Sequence, residues 1–309
     1  MEIEARNLYK SYGQVQAVKD FSFKTESGKI YGIIGPNGAG KSTTIRMIMG
    51  ILLPDSGQIL FSGEKLNYST LNRIGYLPEE RGLYRKQICE DVLIYLAELK
   101  GKKKKQIYNR MCELLERFNL IEYKNKKIET LSKGMAQKIQ FISTVLHEPD
   151  YIFLDEPFSG LDPVSIDELR DFLLELKNQG KVIMFSTHNM EQAERICDNI
   201  SLINHGIEVL GGTIESIKSR FGKNSISISF EGILPDLKSI AKNVQNYPKW
   251  AEIELINGVS SQDCLSFLVK SDVKINKFEV IQPSLHSIFV KVVKEIYNEE
   301  VEYEDKNNI

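Results

Sequence analysis

The sequence predicts an α/β chain, a mostly parallel sheet covered by helices, followed by a smaller α+β unit. Three observations carry this. Short continuous apolar runs recur at 30–34, 151–154 and 182–185, and such runs fit parallel strands buried on both faces. The stretches between them repeat apolar residues every three or four positions, the period of an amphipathic helix. A Gly-rich segment directly follows the first run and precedes a helical pattern from about Lys41, so strand, loop and helix come in the order that phosphate binding requires.

In chain order, 3–9 and 18–25 are rich in β-formers and suggest a small antiparallel layer. Residues 29–34 form the buried strand ahead of the Gly-rich turn. From 88 to 120, Val92, Leu93, Leu96 and Leu99, then Ile107, Met111, Leu114, Leu115 and Phe118, mark two amphipathic helices. They belong to a helical insert of about 81–147. The sheet resumes at 151–154 and 182–186 and closes over 200–210, where Asn204-His205-Gly206 reads as a hairpin turn. Gly211-Gly212 marks the end of a first domain, 1–212. An accessory α+β domain over 213–296 should hold a strand at 225–230, helices near Leu237 and Leu265, and a strand at 278–281. Residues 297–309, rich in Glu, Asp and Asn, are expected to be a disordered tail.

Composition narrows the function classes. With 309 residues and 42% hydrophobic content the chain can bury a full core and an appendage. Its 40 basic and 42 acidic residues give a net charge of -2, which supplies no drive toward a duplex, so no nucleic-acid partner is expected. Cys89, Cys112, Cys197 and Cys264 form no CxxC pair, which argues against a zinc site or a disulfide framework. The first residues lack a basic patch followed by an apolar stretch, so a cytoplasmic chain is expected. Every apolar run is far shorter than the ~20 residues that cross a bilayer as a helix. Lys102 to Lys105 read as a solvated helix end, and Trp250 as a core residue.

Gly35-Pro36-Asn37-Gly38-Ala39-Gly40-Lys41-Ser42, followed by Thr43, fits the P-loop pattern GxxxxGK[ST]. Its glycines let backbone N–H groups turn inward toward phosphate oxygens, and the following helix adds its positive end. Lys41 should reach the β- and γ-phosphates of ATP and the Ser42 hydroxyl should ligate Mg2+. The run at 151–154 ends in Asp155-Glu156, at the edge of the sheet where ligands of open α/β sheets sit. Asp155 would hold the magnesium, and Glu156 would polarise the attacking water.

With these motifs in place, residues 1–212 resemble the ATP-binding subunits of ABC transporters. Leu131-Ser132-Lys133-Gly134-Met135 sits where that family's LSGGQ signature belongs. Asp155 to Pro163 follow its Walker B and D-loop almost residue for residue. His188 falls on the switch histidine, and Tyr12 on the aromatic that stacks against adenine. The resemblance implies a P-loop NTPase fold with an antiparallel β subdomain and a helical subdomain, and ATP hydrolysis coupled to transport by a separate transmembrane permease. It also implies a head-to-tail dimer, expected here as a homodimer, in which Ser132 and Gly134 complete the partner's γ-phosphate site. The chain would then be peripheral on the inner face of the membrane. A soluble ABC ATPase acting on ribosomes or DNA is the alternative reading.

Two departures stand out. Lys133 and Met135 replace the family's usual Gly and Gln. Glu79, in Leu77-Pro78-Glu79-Glu80-Arg81-Gly82-Leu83-Tyr84, takes the place of the Q-loop glutamine and would still offer oxygen to Mg2+. Both departures resemble a subgroup that includes sodium-efflux and related export systems, so export is the expected direction. The family docks its membrane partner beside the Q-loop, which points to residues 80–88. Gln282-Pro283-Ser284-Leu285-His286-Ser287-Ile288-Phe289 resembles the subgroup's terminal PSLEDIF segment.

Overall fold

In the computed structural model, which describes residues 1–80, 82–221, 225–256, 258–271 and 273–294, the strand that feeds the Gly-rich loop lies inside a parallel set of five. The chain falls into two compact units, Met1–Gly212 and Thr213–Ile309. Arg81 and the expected tail lie outside the described residues.

The first unit begins with β1 (Glu2–Tyr12), β2 (Val15–Glu26) and β3 (Lys29–Ile34), and the Gly-rich loop then leads into α1 (Lys41–Ile48). β4 (Ser56–Phe61), β5 (Glu64–Lys65), α2 (Tyr68–Asn72) and β6 (Ile74–Leu77) precede a helical region of α3 (Cys89–Leu99), α4 (Lys104–Arg117) and α5 (Lys133–Val145). β7 (Tyr151–Asp155), α6 (Pro163–Asn178), β8 (Val182–Thr187), α7 (Met190–Ile196), β9 (Asn199–Asn204) and β10 (Ile207–Thr213) complete it.

Among the described residues these strands form one sheet in the order β5-β4-β1-β2-β10-β9-β3-β8-β7-β6. β9, β3, β8, β7 and β6 run parallel, whereas β1 pairs antiparallel with β2 and β4. β7 and β8 are buried along their whole length, as parallel strands covered on both faces must be. Register then decides the site. Asp155, at the end of β7, pairs with Ser186 near the end of β8, and Ile34, at the end of β3, pairs with Thr187. The Gly-rich loop, the acidic pair and the polar end of β8 therefore leave the sheet at one edge.

In the helical region, Phe118, Phe141 and Phe172 meet edge-on with centroids 5.6 to 5.8 Å apart. Each such contact adds about 0.5–1.5 kcal/mol beyond its buried area, and together they tie α4, α5 and α6 to one another. Lys102 and Lys104 approach Glu148 and Glu90 at the protein surface.

The second unit holds α8 (Ile214–Arg220), β11 (Ser225–Glu231), β12 (Ala241–Asn246), β13 (Trp250–Leu255), α9 (Ser261–Val269) and β14 (Lys274–Ile281). Residues 285–294 are also helical. Its strands form an antiparallel sheet, β12-β13-β11-β14. Ile226, Ile228 and Phe230 face a core shared with Ile253, Leu255, Cys264 and Leu268. Two expectations fail here. The segment around Leu237 is no helix: Pro235 and Asp236 open a turn in which Leu237 O accepts from Ile240 N and Ala241 N, and the chain then enters β12. Trp250 is 40% exposed and stacks on Tyr247 at 4.1 Å instead of filling the core.

Candidate nucleotide-binding site

A cleft of about 480 Å3 opens at the edge of the sheet, lined by Tyr12, Ala17, Asn37, Gly38, Gly40, Lys41, Ser42, Thr43, Glu79 and Glu156. The loop between β3 and α1 curls tightly enough to require its glycines. Gly40 has φ +105°, and a Cβ there would lie 2.2 Å from Ala17 O. A Cβ at Gly35 would meet Ile203 O at 2.1 Å. The curl brings the start of α1 to the cleft, so unpaired helix N–H groups face it.

Lys41 is folded back over its own loop. Its Nζ donates to Gly35 O (2.9 Å) and Pro36 O (3.1 Å) and lies 3.7 Å from Glu156 Oε1. Both side chains are more than nine-tenths buried. A buried ammonium and a buried carboxylate are tolerable only when each has such partners. Ala39 is buried beneath the loop.

Asp155 is fully buried at the end of β7. Its Oδ1 accepts from Ser186 Oγ, while Oδ2 makes no hydrogen bond among the described residues. Glu156 follows with φ +49°, a conformation that costs a non-glycine residue about 1–3 kcal/mol. Its backbone N donates to Ser186 O (3.2 Å), and its carboxylate is held from one side. His188 N (3.0 Å) and His188 Nδ1 (2.8 Å) reach Oε1, and Thr187 Oγ1 reaches Oε2 at 3.3 Å. Because Oε1 can only accept, the short contact makes Nδ1 the protonated nitrogen.

Ser186 and Thr187 escaped the reading of the sequence as contacts of the acids. The signal was present: two hydroxyl residues end a strand that is otherwise apolar, and buried hydroxyls need partners. Asp162 caps α6 by accepting from Ser165 N and Ser165 Oγ, and these bonds hold its carboxyl below the usual range.

Ser132 and Gly134 lie apart from this cleft. Ser132 is exposed at the N-cap of α5, where its Oγ accepts from Met135 N (3.2 Å). It lines a second cavity of about 200 Å3 with Leu83, Arg85, Glu129 and Gln140. Gly134 packs against Gly160 and Leu161 of the loop after Glu156, and Lys133 lies over Gly160.

The residues fit a magnesium ion bound with nucleotide. Asp155 Oδ2 is a buried oxygen with no donor among the described residues, and the cleft lining includes the Ser42 hydroxyl and the Glu79 carboxylate, both of the hard oxygen type that magnesium takes. Among the described residues no cluster of three or more His, Cys, Asp or Glu could hold a metal alone. An ion here would therefore share the oxygens of a triphosphate.

Comparison with known proteins speaks to family and fold. Residues 18–159 match the family model described as ABC transporter, and residues 212–293 that of the ATP-binding protein DrrA1-3-like, C-terminal domain. An uncharacterized ABC transporter ATP-binding protein of Bacillus subtilis, YhaQ, is 43% identical over 94% of this chain and 98% of its own length. The linearmycin resistance ATP-binding protein LnrL of the same organism is 30% identical over 94% of this chain and 97% of its own. A solved ATP-binding subunit of an ABC transporter superposes with a TM-score of 0.67 at 34% identity, over 72% of this chain and 94% of that one.

Proposed function

Since this chain belongs to the ATP-binding proteins of ABC transporters, we propose that its cleft hydrolyses Mg-ATP with Glu156 as the base, in a head-to-tail dimer that drives export. Members of the family hydrolyse ATP, act as dimers and power transport through a separate permease. Among the described residues no helix is long and apolar enough to cross a membrane. The chain would work from the inner membrane face, held there by the permease.

One observation carries the reading: the Glu156 carboxylate stands at the cleft between Lys41 and His188, 3.7 Å from one and 2.8 Å from the other. On arrival of ATP, Lys41 would leave the carbonyls of Gly35 and Pro36 for the β- and γ-phosphate oxygens. The P-loop amides would hold the triphosphate, and Tyr12, half-exposed at the end of β1, would stack on the base. Ser42, Asp155 and Glu79 would hold the magnesium ion, which neutralises charge on the phosphates. Glu156 would accept a proton from water as its oxygen attacks the γ-phosphorus and the bond to the β-phosphate oxygen breaks. His188 would keep Glu156 and that water in line.

The placement of Ser132 supports the dimer. It sits at a helix N-terminus outside its own chain's cleft, so its hydroxyl and the Gly134 amide are free to close a partner's γ-phosphate site. The permease would dock beside the Q-loop. Tyr84 and Tyr95, both about half exposed, meet edge-on at 5.9 Å over a hollow of about 290 Å3 lined also by Gln87, Asp91 and Val92. Export is the direction that a resistance protein such as LnrL suggests. No observation favours the ribosome or DNA alternative.

The test is a purified chain in which Glu156→Gln binds ATP and forms a stable dimer without turnover. A monomer at saturating Mg-ATP, even with the permease supplied, would overturn the dimer reading.

A further inference from the structure

Helix α5 does more than present Ser132. Its buried face carries Gln137, Gln140 and Thr144, and each donates to a backbone carbonyl in β6 or in the segments that follow β6 and β7. Gln137 Nε2 donates to Pro157 O at 3.4 Å, one residue beyond Glu156. Thr144 Oγ1 donates to Tyr76 O at 3.1 Å, on β6. Gln140 spends both amide hydrogens on the loop after β6, one to Pro78 O (3.3 Å) and one to Glu80 O (3.2 Å). These two carbonyls flank Glu79, whose side chain lines the cleft.

The orientation of the Gln140 amide is not arbitrary. Both partners are carbonyl oxygens, so the NH2 group must face them. Among the described residues, the other end is then left without a partner. Gln140 is 3% exposed, and its Oε1 makes no hydrogen bond among the described residues. An unmet buried acceptor is costly, so what the glutamine contributes at this position is its two-pronged donor to the Glu79 loop.

We propose that Gln140 is a positioning residue. It holds Glu79 at the rim of the cleft by bridging the carbonyls on either side, and ties that loop to Ser132, two helical turns away on the same rigid helix. The loop that lies beside the proposed permease site and the serine that completes the partner's ATP site then move as one body. This inference rests on the proposed reading of Glu79 as an oxygen ligand at the Mg-ATP site.

The test compares the full-length protein with Gln140→Leu, Glu79→Ala and the double variant. Amide hydrogen exchange is followed across the chain, and ATPase rates across a magnesium titration. Gln140→Leu removes one unmet acceptor and two hydrogen bonds, so its melting temperature should fall by no more than about 4 °C. Exchange in a peptide covering 76–84 should accelerate about tenfold, as expected for two lost hydrogen bonds, while 151–158 stays unchanged. The magnesium concentration for half-maximal rate should rise about five- to tenfold, with the KM for ATP moving less than twofold. In the Glu79→Ala background, replacing Gln140 should change the magnesium response no further.

Unchanged exchange at 76–84, exchange accelerated equally across the whole chain, or additive magnesium effects would each overturn the proposal. If the parent protein showed no ATPase even with its permease, the Mg-ATP reading would fail first. The exchange comparison would still decide whether Gln140 holds the loop.

Discussion

Glu156 Oε1 accepts two hydrogen bonds from a single residue, His188, one from its backbone N at 3.0 Å and one from its ring Nδ1 at 2.8 Å. The carboxylate is thus aimed by a backbone group that no side-chain substitution removes and by a ring that one substitution does. The ring is 59% exposed, whereas Glu156 is almost wholly covered. The exposed member is open to solvent while the buried one is held in place by its contacts.

Replacing Glu156 by Gln keeps shape and hydrogen-bonding reach but removes the proton acceptor. Turnover of the purified protein should fall about 10²- to 10⁴-fold, the usual weight of a general base. Binding of a fluorescent ATP analogue should persist. Hydrolysis at the parental rate would remove Glu156 from the role of base.

His188→Ala leaves the backbone contact to Glu156 in place. Loss of the ring's bond to a carboxylate should lower kcat about 10- to 100-fold with little change in KM. Steady-state kinetics over an ATP titration checks this, and a change confined to KM would assign His188 to nucleotide binding.

Gly40→Ala should be among the most damaging single changes in the P-loop. Its φ of +105° and the Ala17 carbonyl 2.2 Å from any Cβ leave no room for a side chain. A loss of about 1–3 kcal/mol from the backbone conformation alone is expected, with the clash in addition. Thermal unfolding should show the lower midpoint, and nucleotide titration the lost binding.

His147 should make stability depend on pH. Its ring is buried, and Nε2 donates to Ile74 O at 3.1 Å while Nδ1 lacks a partner among the described residues. Burial, aided by the charges of Lys100, Lys102 and Lys181, pulls its pKa down from 6.5 to about 4. The fold therefore binds the neutral ring, and the unfolded chain takes up a proton first as pH falls. Its contribution is full above pH 6.5 and shrinks by about 3 kcal/mol as pH drops to 4. Denaturant titrations at pH 7 and pH 5 should differ less in His147→Gln than in the parent protein.

Arg85→Glu tests the docking face. Arg85 is exposed just after Tyr84, and its carbonyl accepts from Glu129 N at 2.8 Å, so the backbone there is anchored while the side chain faces solvent. ATPase activity of the isolated chain should be retained, while copurification with the permease and transport should fall. Undiminished transport would move the docking surface elsewhere.

Much of the candidate site was legible because its pattern is local. A P-loop needs its glycines, lysine and serine at fixed offsets, since backbone N–H groups and one helix start must converge on one anion. Asp155 and Glu156 were legible for a related reason, as the first charges after a run of buried residues. The accessory unit was harder. β12, with Lys242, Asn243 and Gln245, offers no clean alternation, and its pairing with β13 supplies what its own residues lack. The stretch before it was expected to be helical, but Pro235 and Asp236 favour a turn.

The sequence by itself determined the family's pattern and the candidate site residues: a Gly-rich loop of P-loop form, a lysine, two acids and a histidine, each marked by its neighbours along the chain. Only the tertiary structure decided how they aim. Register between β7 and β8 brings Ser186 and His188 to acids more than thirty positions earlier, and packing of α5 brings Gln140 to carbonyls about sixty positions before it. Spacing along a chain reports contacts made within a turn or a loop, whereas hydrogen bonds between strand ends and helix faces exist only once buried surfaces have set the register.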